Sequence, residues 1–274
     1  MRAILTGSKG FIGRNLKNRL KELDFEVIEI NEDVFESETW QEEINIQASD
    51  GIDVIFHVGA CSNTLEQDVN YIMKVNYEFT KQVAICAERL GIPLIYSSSA
   101  ACYGINNKFP SNLYGWSKFI GEEFVTKSGG VALRYFNVYG PGEEDKGKMS
   151  SFLHQAFLKS KSCEKVELFP GDPVRDFVYI YDVIEANIFA FLNFNSLSKC
   201  FYEVGSGEEN TFESVLALSG IKFSYLDKSE IPIGYQFFTK SNPIKWMDGW
   251  TPKYNLETGV RDYLLYLSGK LGEK

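Results

Sequence analysis

Apolar residues follow two rhythms along the first two thirds of the chain. Short, largely apolar runs (Ala3-Ile4-Leu5, Phe25 to Ile30, Val54 to Val58, Leu94-Ile95-Tyr96 and Val131 to Phe136) read as strands. Between them the spacing is helical. One stretch carries Phe11, Ile12, Leu16, Leu20 and Leu23. A second carries Val75, Phe79, Val83, Ile85, Cys86 and Leu90, closed by Gly91 and Pro93, and a third runs from Tyr114 to about Thr126. This alternation predicts an α/β fold, a Rossmann-type doubly wound parallel sheet. After Gly140 the pattern loosens into a loop, a helix over Met149 to Leu158, a strand over Val166 to Phe169, and a strand and helix over 177–192. Short mixed segments then lead to a helix near 257–268. The expected division is a dinucleotide-binding core of residues 1–139 with 174–205, and a smaller interleaved C-terminal substrate lobe of 140–173 with 206–274.

Composition narrows the classes of function. At 274 residues, 44% hydrophobic and 24% charged, the chain has the makeup of a soluble globular protein. Its 37 acidic against 28 basic residues give a net charge of −9, which argues against nucleic-acid or anionic-membrane partners. The five cysteines are scattered without metal-binding spacing and read as buried thiols in a reducing compartment. Two histidines are too few for a zinc site, so no metal is expected. No apolar run approaches the ~20 residues of a membrane helix. The chain opens directly on a strand, so a cytoplasmic enzyme without a signal peptide is expected.

Between the first strand and first helix stands Gly7-Ser8-Lys9-Gly10-Phe11-Ile12-Gly13, a GxxGxxG. Glycines in this place let the backbone turn sharply and approach a pyrophosphate lying on the helix N-terminus. Gly7, Lys9, Gly10, Phe11, Ile12 and Gly13 are therefore candidate cofactor contacts. The end of the second strand, where an acidic residue usually holds the adenosine ribose of NAD, carries Asn31 followed by Glu32 and Asp33. A neutral Asn31 does not repel a 2′-phosphate and Lys9 can pair with one, which favours NADP. The alternative leaves Lys9 in solvent, gives the ribose to Glu32 or Asp33, and admits NAD.

Two further motifs follow in order. Tyr114-Gly115-Trp116-Ser117-Lys118 is a YxxxK whose spacing puts Tyr114 and Lys118 one turn apart on one helical face. A nearby ammonium lowers the pKa of a phenol, so Tyr114 can exchange a proton with a substrate hydroxyl while Lys118 holds the nicotinamide ribose. Ser97-Ser98-Ser99 lies just beyond the strand at Leu94 to Tyr96, where ligands bind in such sheets. With these three motifs, the chain resembles, over nearly its whole length, the extended short-chain dehydrogenases/reductases acting on nucleotide sugars. That resemblance implies that Ser99 bonds the reacting oxygen, Tyr114 is the acid/base, Lys118 is its partner and Asn76 supports the proton network. Arg134-Tyr135-Phe136-Asn137-Val138-Tyr139-Gly140-Pro141 resembles RxxNVYGP, and Arg175-Asp176-Phe177-Val178-Tyr179 resembles RDFVYV. By resemblance, Asn137 and Arg175 face the sugar-nucleotide diphosphate, for which an arginine fork is the suitable partner. A homo-oligomer is also implied.

Three stretches narrow the substrate. The 4,6-dehydratases carry Thr-Asp-Glu where this chain has Ser99-Ala100-Ala101, so the general acid for dehydration is missing. Phe56-His57-Val58-Gly59-Ala60-Cys61-Ser62-Asn63-Thr64 resembles the FHxGACSxT of ADP-glycero-manno-heptose 6-epimerases. Lys146-Gly147-Lys148-Met149-Ser150-Ser151 resembles their KGxMxS, and Tyr235-Gln236-Phe237-Phe238-Thr239 their YQxFT. Inverting an unactivated alcohol carbon needs a hydride acceptor and a proton carrier on each side of the carbonyl intermediate. The resemblance implies Tyr114 as one carrier and Lys146 as the other, with NADP oxidising C6″ to a transient aldehyde that is re-reduced on its other face. On composition alone Lys146 reads first as a solvated lysine of a charged loop (Glu143, Glu144, Asp145, Lys148), and only the adjoining Gly147 and Met149 lift it above that. Ser62, Asn63, Phe169 and Tyr235 are candidates for the sugar pocket, and neither histidine receives a catalytic role. Another nucleotide-sugar 4-epimerase or reductase, or a non-catalytic cofactor-binding protein on the same fold, stays open as the alternative. The stretch between Ile30 and Val54 is short for such a fold, and Asp33-Val34 is the candidate for the adenine side.

Overall fold

The computed structural model describes residues 1–31, 44, 48, 51–105, 108–232 and 235–272. Among these, six strands form one parallel sheet in the order β10-β5-β4-β3-β1-β2. They are β1 (Arg2–Thr6), β2 (Glu26–Ile30), β3 (Val54–His57), β4 (Leu94–Ser99), β5 (Val131–Tyr135) and, arriving late, β10 (Phe201–Val204). Two-residue periodicity sends neighbouring side chains to opposite faces. Ala3, Leu5, Val54, Phe56, Ile95, Val131 and Leu133 enter one hydrophobic cluster, while Ile4, Ile55, Leu94, Tyr96 and Ala132 enter the other. Each face is covered by helices. On the first lie α1 (Phe11–Glu22), through Leu16 and Leu20, and α6 (Ile180–Leu192), through Val183 and Ile184. On the second lie α3 (Phe79–Leu90), through Phe79 and Val83, and α4 (Leu113–Lys127), through Val125. Burial on both faces is why the inner strands β1, β3 and β4 are largely apolar, whereas the edge strand β2 carries Glu26 and Glu29 and is mostly accessible.

The helix expected over 70–90 is interrupted. A short α2 (Val69–Met73), N-capped by Asp68, passes through a π-helical turn at Lys74–Glu78 into α3. The wider turn carries Asn76, which is fully buried although polar. Between β2 and β3, Ile44 and Ala48 belong to the same apolar cluster as Ile4, Ile30 and Ile55. Glu32, Asp33 and Val34 lie outside the described residues.

The C-terminal part folds around short strand pairs invisible to periodicity. β6 (Asn137–Tyr139) pairs in parallel with β9 (Phe177–Tyr179), β7 (Val166–Leu168) with β12 (Phe223–Tyr225), and β8 (Val174–Arg175) runs antiparallel to β11 (Asn210–Thr211). Helices α5 (Phe152–Lys161), α7 (Phe212–Ser219) and α8 (Leu256–Gly272) pack around them. Two buried carboxylates act as staples. Asp176 accepts from Ser206 N and Oγ, Gly207 N, and Ser241 N and Oγ, at 2.6–3.0 Å. Asp182 accepts from the backbone of Lys253 and Tyr254. The first hydrophobic cluster runs without a break from Ala3 of β1 to Leu267 of α8. No helix among the described residues is long and apolar enough to cross a membrane.

Candidate active site

The chain turns out of β1 at the crevice between β1 and β3, where the order of the sheet reverses and ligands of such folds bind. Gly7 has φ +69°, and a Cβ there would lie 2.5 Å from Gly59 Cα. A Cβ on Gly13 would collide with the Gly7 carbonyl oxygen. The two positions therefore need glycine for close backbone packing. Gly10 opens α1 without any side-chain cap, leaving the positive end of a twelve-residue helix bare at the loop. A glycine cradle ending on a bare helix start fits the pyrophosphate of a dinucleotide.

Behind this loop the Ser8 hydroxyl bonds Glu29 and stands 3.0 Å from Asn31 Oδ1, which also accepts from Lys9 N at 3.4 Å. A backbone N–H can only donate, so Asn31 turns its carbonyl to the loop and keeps its amide donors for other partners. Glu29 is held below the usual carboxylate range, first by the Ser8 hydrogen bond and then by Lys17 at 3.2 Å. Lys9 itself is exposed, and its carbonyl accepts from Arg14.

The serine run continues β4 as far as Ser99, which caps the tight turn Ala100–Tyr103 by accepting from Ala101 N at 3.1 Å. Asn112 caps α4 in the same way through Gly115 N, at 2.8 Å. Any side chain at 115 would lie 2.7 Å from the Ala101 carbonyl, so the glycine after Tyr114 is what lets α4 dock on the Ser99 turn. That docking brings together Tyr114 and Ser99. Burial pushes the Tyr114 phenol up to about 12, with a hydrogen bond to Ser99 acting the other way. Lys118 is buried and its pKa falls to about 8 through loss of hydration. Its Nζ stands 4.2 Å from the centre of the Tyr96 ring. The lowering of the phenol expected from the ammonium does not appear: desolvation raises Tyr114, and the one opposing influence is the Ser99 hydrogen bond.

Asn76 joins this group from the π turn. Its Oδ1 accepts from Cys61 N at 2.7 Å, and its Nδ2 donates to Cys61 O and to Ser117 Oγ, on α4, at 2.9 Å. Beneath the serines lies a buried ion pair. Arg134 of β5 bonds both oxygens of Glu122, one turn beyond Lys118, at 2.5 and 2.8 Å. Ser98 donates to the same carboxylate at 2.6 Å.

Lys146 sits in the short helical segment Glu144–Met149, with Nζ 5.2 Å from the Phe11 ring centre at the start of α1. Burial lowers its pKa against the opposing charge of Glu143. Asp145, next to it, pairs with Arg14 at 2.7 Å and fastens the segment to α1. A second cluster unites Phe169, Arg175 and Tyr235. The two rings meet edge to face at 5.1 Å, and the guanidinium lies 5.5 Å from the Tyr235 ring centre. Arg175 donates to Val174 O and Gln236 O, while Gln236 donates to Gly104 O beside the Ser99 turn. Among the described residues no hydrogen bond draws Ser62, Asn63 or Asn137 into these groups. Ser62 and Asn137 are exposed, and Asn63 accepts from Leu65 N in its own loop.

Glu122 stands in none of the motifs, although it follows Lys118 at the helical interval of four, and Gln236 appears in YQxFT with no role attached to it. His57, assigned no role above, is completely buried and bonded through both ring nitrogens. A polar residue closing an apolar strand was its signal.

A glycine cradle at the end of β1, a serine at the end of β4 and a Tyr–Lys helix meeting it define a dinucleotide-dependent enzyme of the short-chain dehydrogenase/reductase class. The model of the NAD dependent epimerase/dehydratase family matches residues 3–205, and the chain belongs to that family. It is 33% identical to the ADP-L-glycero-D-manno-heptose-6-epimerase of Brachyspira hyodysenteriae, over 95% of this chain and 96% of that protein. The enzyme of the same name from Pseudomonas aeruginosa is also 33% identical, over 90% and 86%. The crystal structure of the Helicobacter pylori ADP-L-glycero-D-manno-heptose-6-epimerase superposes with a TM-score of 0.84 at 28% identity, covering 97% of this chain and 96% of that one. A Thermotoga maritima UDP-glucose 4-epimerase shares the fold at 22% identity and a TM-score of 0.82, over 99% and 100%.

Proposed function

We propose that this enzyme interconverts ADP-D-glycero- and ADP-L-glycero-manno-heptose at C6″. The observation that carries the reading is Lys146. It is half-buried, lowered in pKa by loss of hydration, and set against Phe11 at the glycine turn, with Tyr114 on α4 taken as the other proton carrier. Inversion through a transient aldehyde needs one proton carrier for each face of the carbonyl. The similarity to heptose epimerases over nearly the full length supports the same substrate.

The chain's own groups divide the work. Tyr114 takes or returns the hydroxyl proton on one face, and Ser99 bonds the reacting oxygen. Lys118 holds the nicotinamide ribose in this reading, and a proton leaving a lysine of pKa about 8 is readily exchanged near neutrality. Lys146 serves the opposite face, and its lowered pKa suits the task. The bound nicotinamide supplies removal and return of the hydride. Arg175, flanked by Phe169 and Tyr235, offers its fork to the diphosphate, with Asn137, Ser62 and Asn63 completing the sugar side. NADP is the preferred cofactor: Asn31 presents neutral amide donors at the end of β2, and Lys9 supplies a positive charge beside them. The core of residues 1–139 with 174–205 holds the cofactor and the remaining lobe the sugar nucleotide, in a cytoplasmic homo-oligomer.

The test is incubation with ADP- and GDP-heptoses, NMR of the product, and mass spectrometry of the copurifying cofactor. Inverted C6″ stereochemistry without net change in nicotinamide absorbance is expected. Net consumption of NADPH would mark a reductase, and inversion at C4″ of a UDP-sugar would mark a 4-epimerase. Inertness toward every nucleotide sugar would mark a binding protein, and bound NAD would overturn the cofactor preference.

A further inference from the structure

A continuous chain of buried hydrogen bonds runs under the site from the glycine turn to the catalytic helix. Gly59 N donates to Thr6 Oγ1 at 2.9 Å, on the backbone segment that packs against Gly7. Thr6 Oγ1 lies 2.7 Å from His57 Nδ1, and His57 Nε2 lies 2.8 Å from Thr80 Oγ1. Thr80 donates to Asn76 O at 2.6 Å, Asn76 donates to Ser117 Oγ, and Ser117 donates to Tyr114 O at 2.8 Å. Thr6, His57, Asn76, Thr80 and Ser117 are each at most 1% exposed, and they come from β1, β3, the π turn, α3 and α4.

The direction of each bond is forced. Gly59 N–H and the Asn76 carbonyl can serve only as donor and acceptor respectively. The one proton of Thr80 therefore goes to Asn76 O, and Thr80 must accept from His57 Nε2–H. Thr6 then donates to an unprotonated Nδ1. Only a neutral imidazole with its proton on Nε2 satisfies every member. The surroundings agree: the ring meets Phe79 and Thr80 of α3, Thr6 of β1 and Tyr96 of β4, and it feels the charge of Lys118 on α4. Burial, and then that charge, lower its pKa to about 3.

We infer that His57 is a positioning residue which, as the neutral Nε2–H imidazole, locks the π turn bearing Asn76 to the cofactor's glycine turn and so holds α4, with Tyr114 and Lys118, in register with the bound nicotinamide. Neither threonine can make this link alone, because the imidazole spans the distance between β1 and α3 by bonding at both nitrogens. Tyr96, beside His57, also lies under the Lys118 ammonium, and a protonated ring here would set a second buried charge against it.

Two measurements test this, the second resting on the epimerase reading and the first not. Nitrogen-15 NMR of the imidazoles is simple in a chain with two histidines, separated by His154→Gln and, reciprocally, by the loss of one signal in His57→Gln. The expected His57 pattern is the Nε2–H tautomer, unchanged from pH 5 to pH 8. An Nδ1–H pattern, or titration near the ordinary value of about 6.5, would overturn the inference. In the second, His57→Leu takes from Thr6 the acceptor of its proton and from Thr80 the donor it accepts from, and should lower kcat by about 10- to 100-fold with the sugar KM nearly unchanged. NADP+ affinity, read by fluorescence, should weaken in the same variant. His57→Gln, which keeps a donor and an acceptor, should regain most of both. Parent-like kcat in His57→Leu, or a glutamine variant no better than the leucine one, would reduce His57 to packing. If the parent itself turns over no heptose, the NMR and affinity measurements still decide.

Discussion

Replacing Lys118 by methionine should abolish turnover and yet make the cofactor-free protein more stable at pH 7. The Lys118 side chain is desolvated, no carboxylate among the described residues forms an ion pair with it, and its pKa falls from 10.5 to about 8 against the more distant charge of Glu122. Each tenfold change in protonation is worth about 1.4 kcal/mol, so the native state carries a penalty of about 3 kcal/mol for the buried charge. The sign follows from linkage. Below pH 8 both native and unfolded chains hold the proton, and the full penalty applies. Between pH 8 and 10.5 the unfolded chain binds more protons than the native one, so stability rises with pH; above 10.5 the penalty is gone. The ammonium's attraction to the Tyr96 ring opposes this by about 1–2 kcal/mol. Burial wins, leaving a net gain of about 1–2 kcal/mol for methionine, or roughly 2–8 °C in Tm for a chain of this size. Urea denaturation of cofactor-free protein at pH 7 and at pH 10.5 reads the difference directly. A methionine variant less stable than the parent at pH 7, or a gap that does not close at high pH, would refute the reasoning.

Other perturbations separate the remaining parts of the site. Glu122→Ala strands Arg134 in the core and should cost about 3–5 kcal/mol in chemical denaturation, whereas Glu122→Leu combined with Arg134→Met should lie close to the parent. Gly13→Ala drives a methyl into the Gly7 carbonyl and should weaken cofactor binding by about 100-fold, read by fluorescence titration, with the circular dichroism spectrum retained. Lys146→Met should lower epimerisation by about 10²- to 10⁴-fold while sparing dismutation of an aldehyde analogue, which needs only the Tyr114 face. Full epimerase activity in that variant would dismiss the two-carrier scheme.

The sheet was readable because its inner strands are buried on both faces and its helices are not; Val54 to Val58 and the 11–23 spacing translate almost residue for residue into β3 and α1. Pairings between two- and three-residue strands, such as β8 with β11, leave no local period to read, since Asp176 rather than strand length holds that region together. The π turn was equally silent, because a helix with one extra residue in a turn keeps nearly the same apolar spacing. At the site, Tyr114 and Lys118 were legible from their interval of four, but their proton affinities were not. Those depend on burial among Tyr96, Cys102 and Ser99, which arrive from β4 and its turn rather than from the helix itself. Lys146 shows the same limit: sequence composition sets it in water, and the bonds from Asp145 to Arg14 and from Asn15 to Pro141 tie its loop to α1.

The order of the strands also shapes how the molecule is made. β5 is complete by residue 135, but its outer neighbour β10 begins only at 201. On a ribosome adding residues from the N-terminus, the growing sheet therefore displays the backbone of Val131-Ala132-Leu133 as an open edge while some 65 further residues are synthesised. An uncovered apolar edge is a template for pairing with another chain. Fragments ending before residue 200 should accordingly aggregate although they contain the glycine turn, Ser99, Tyr114 and Lys118. The late strand thus covers the apolar edge of β5 and moves the sheet's border to its own shorter, Glu203-bearing backbone.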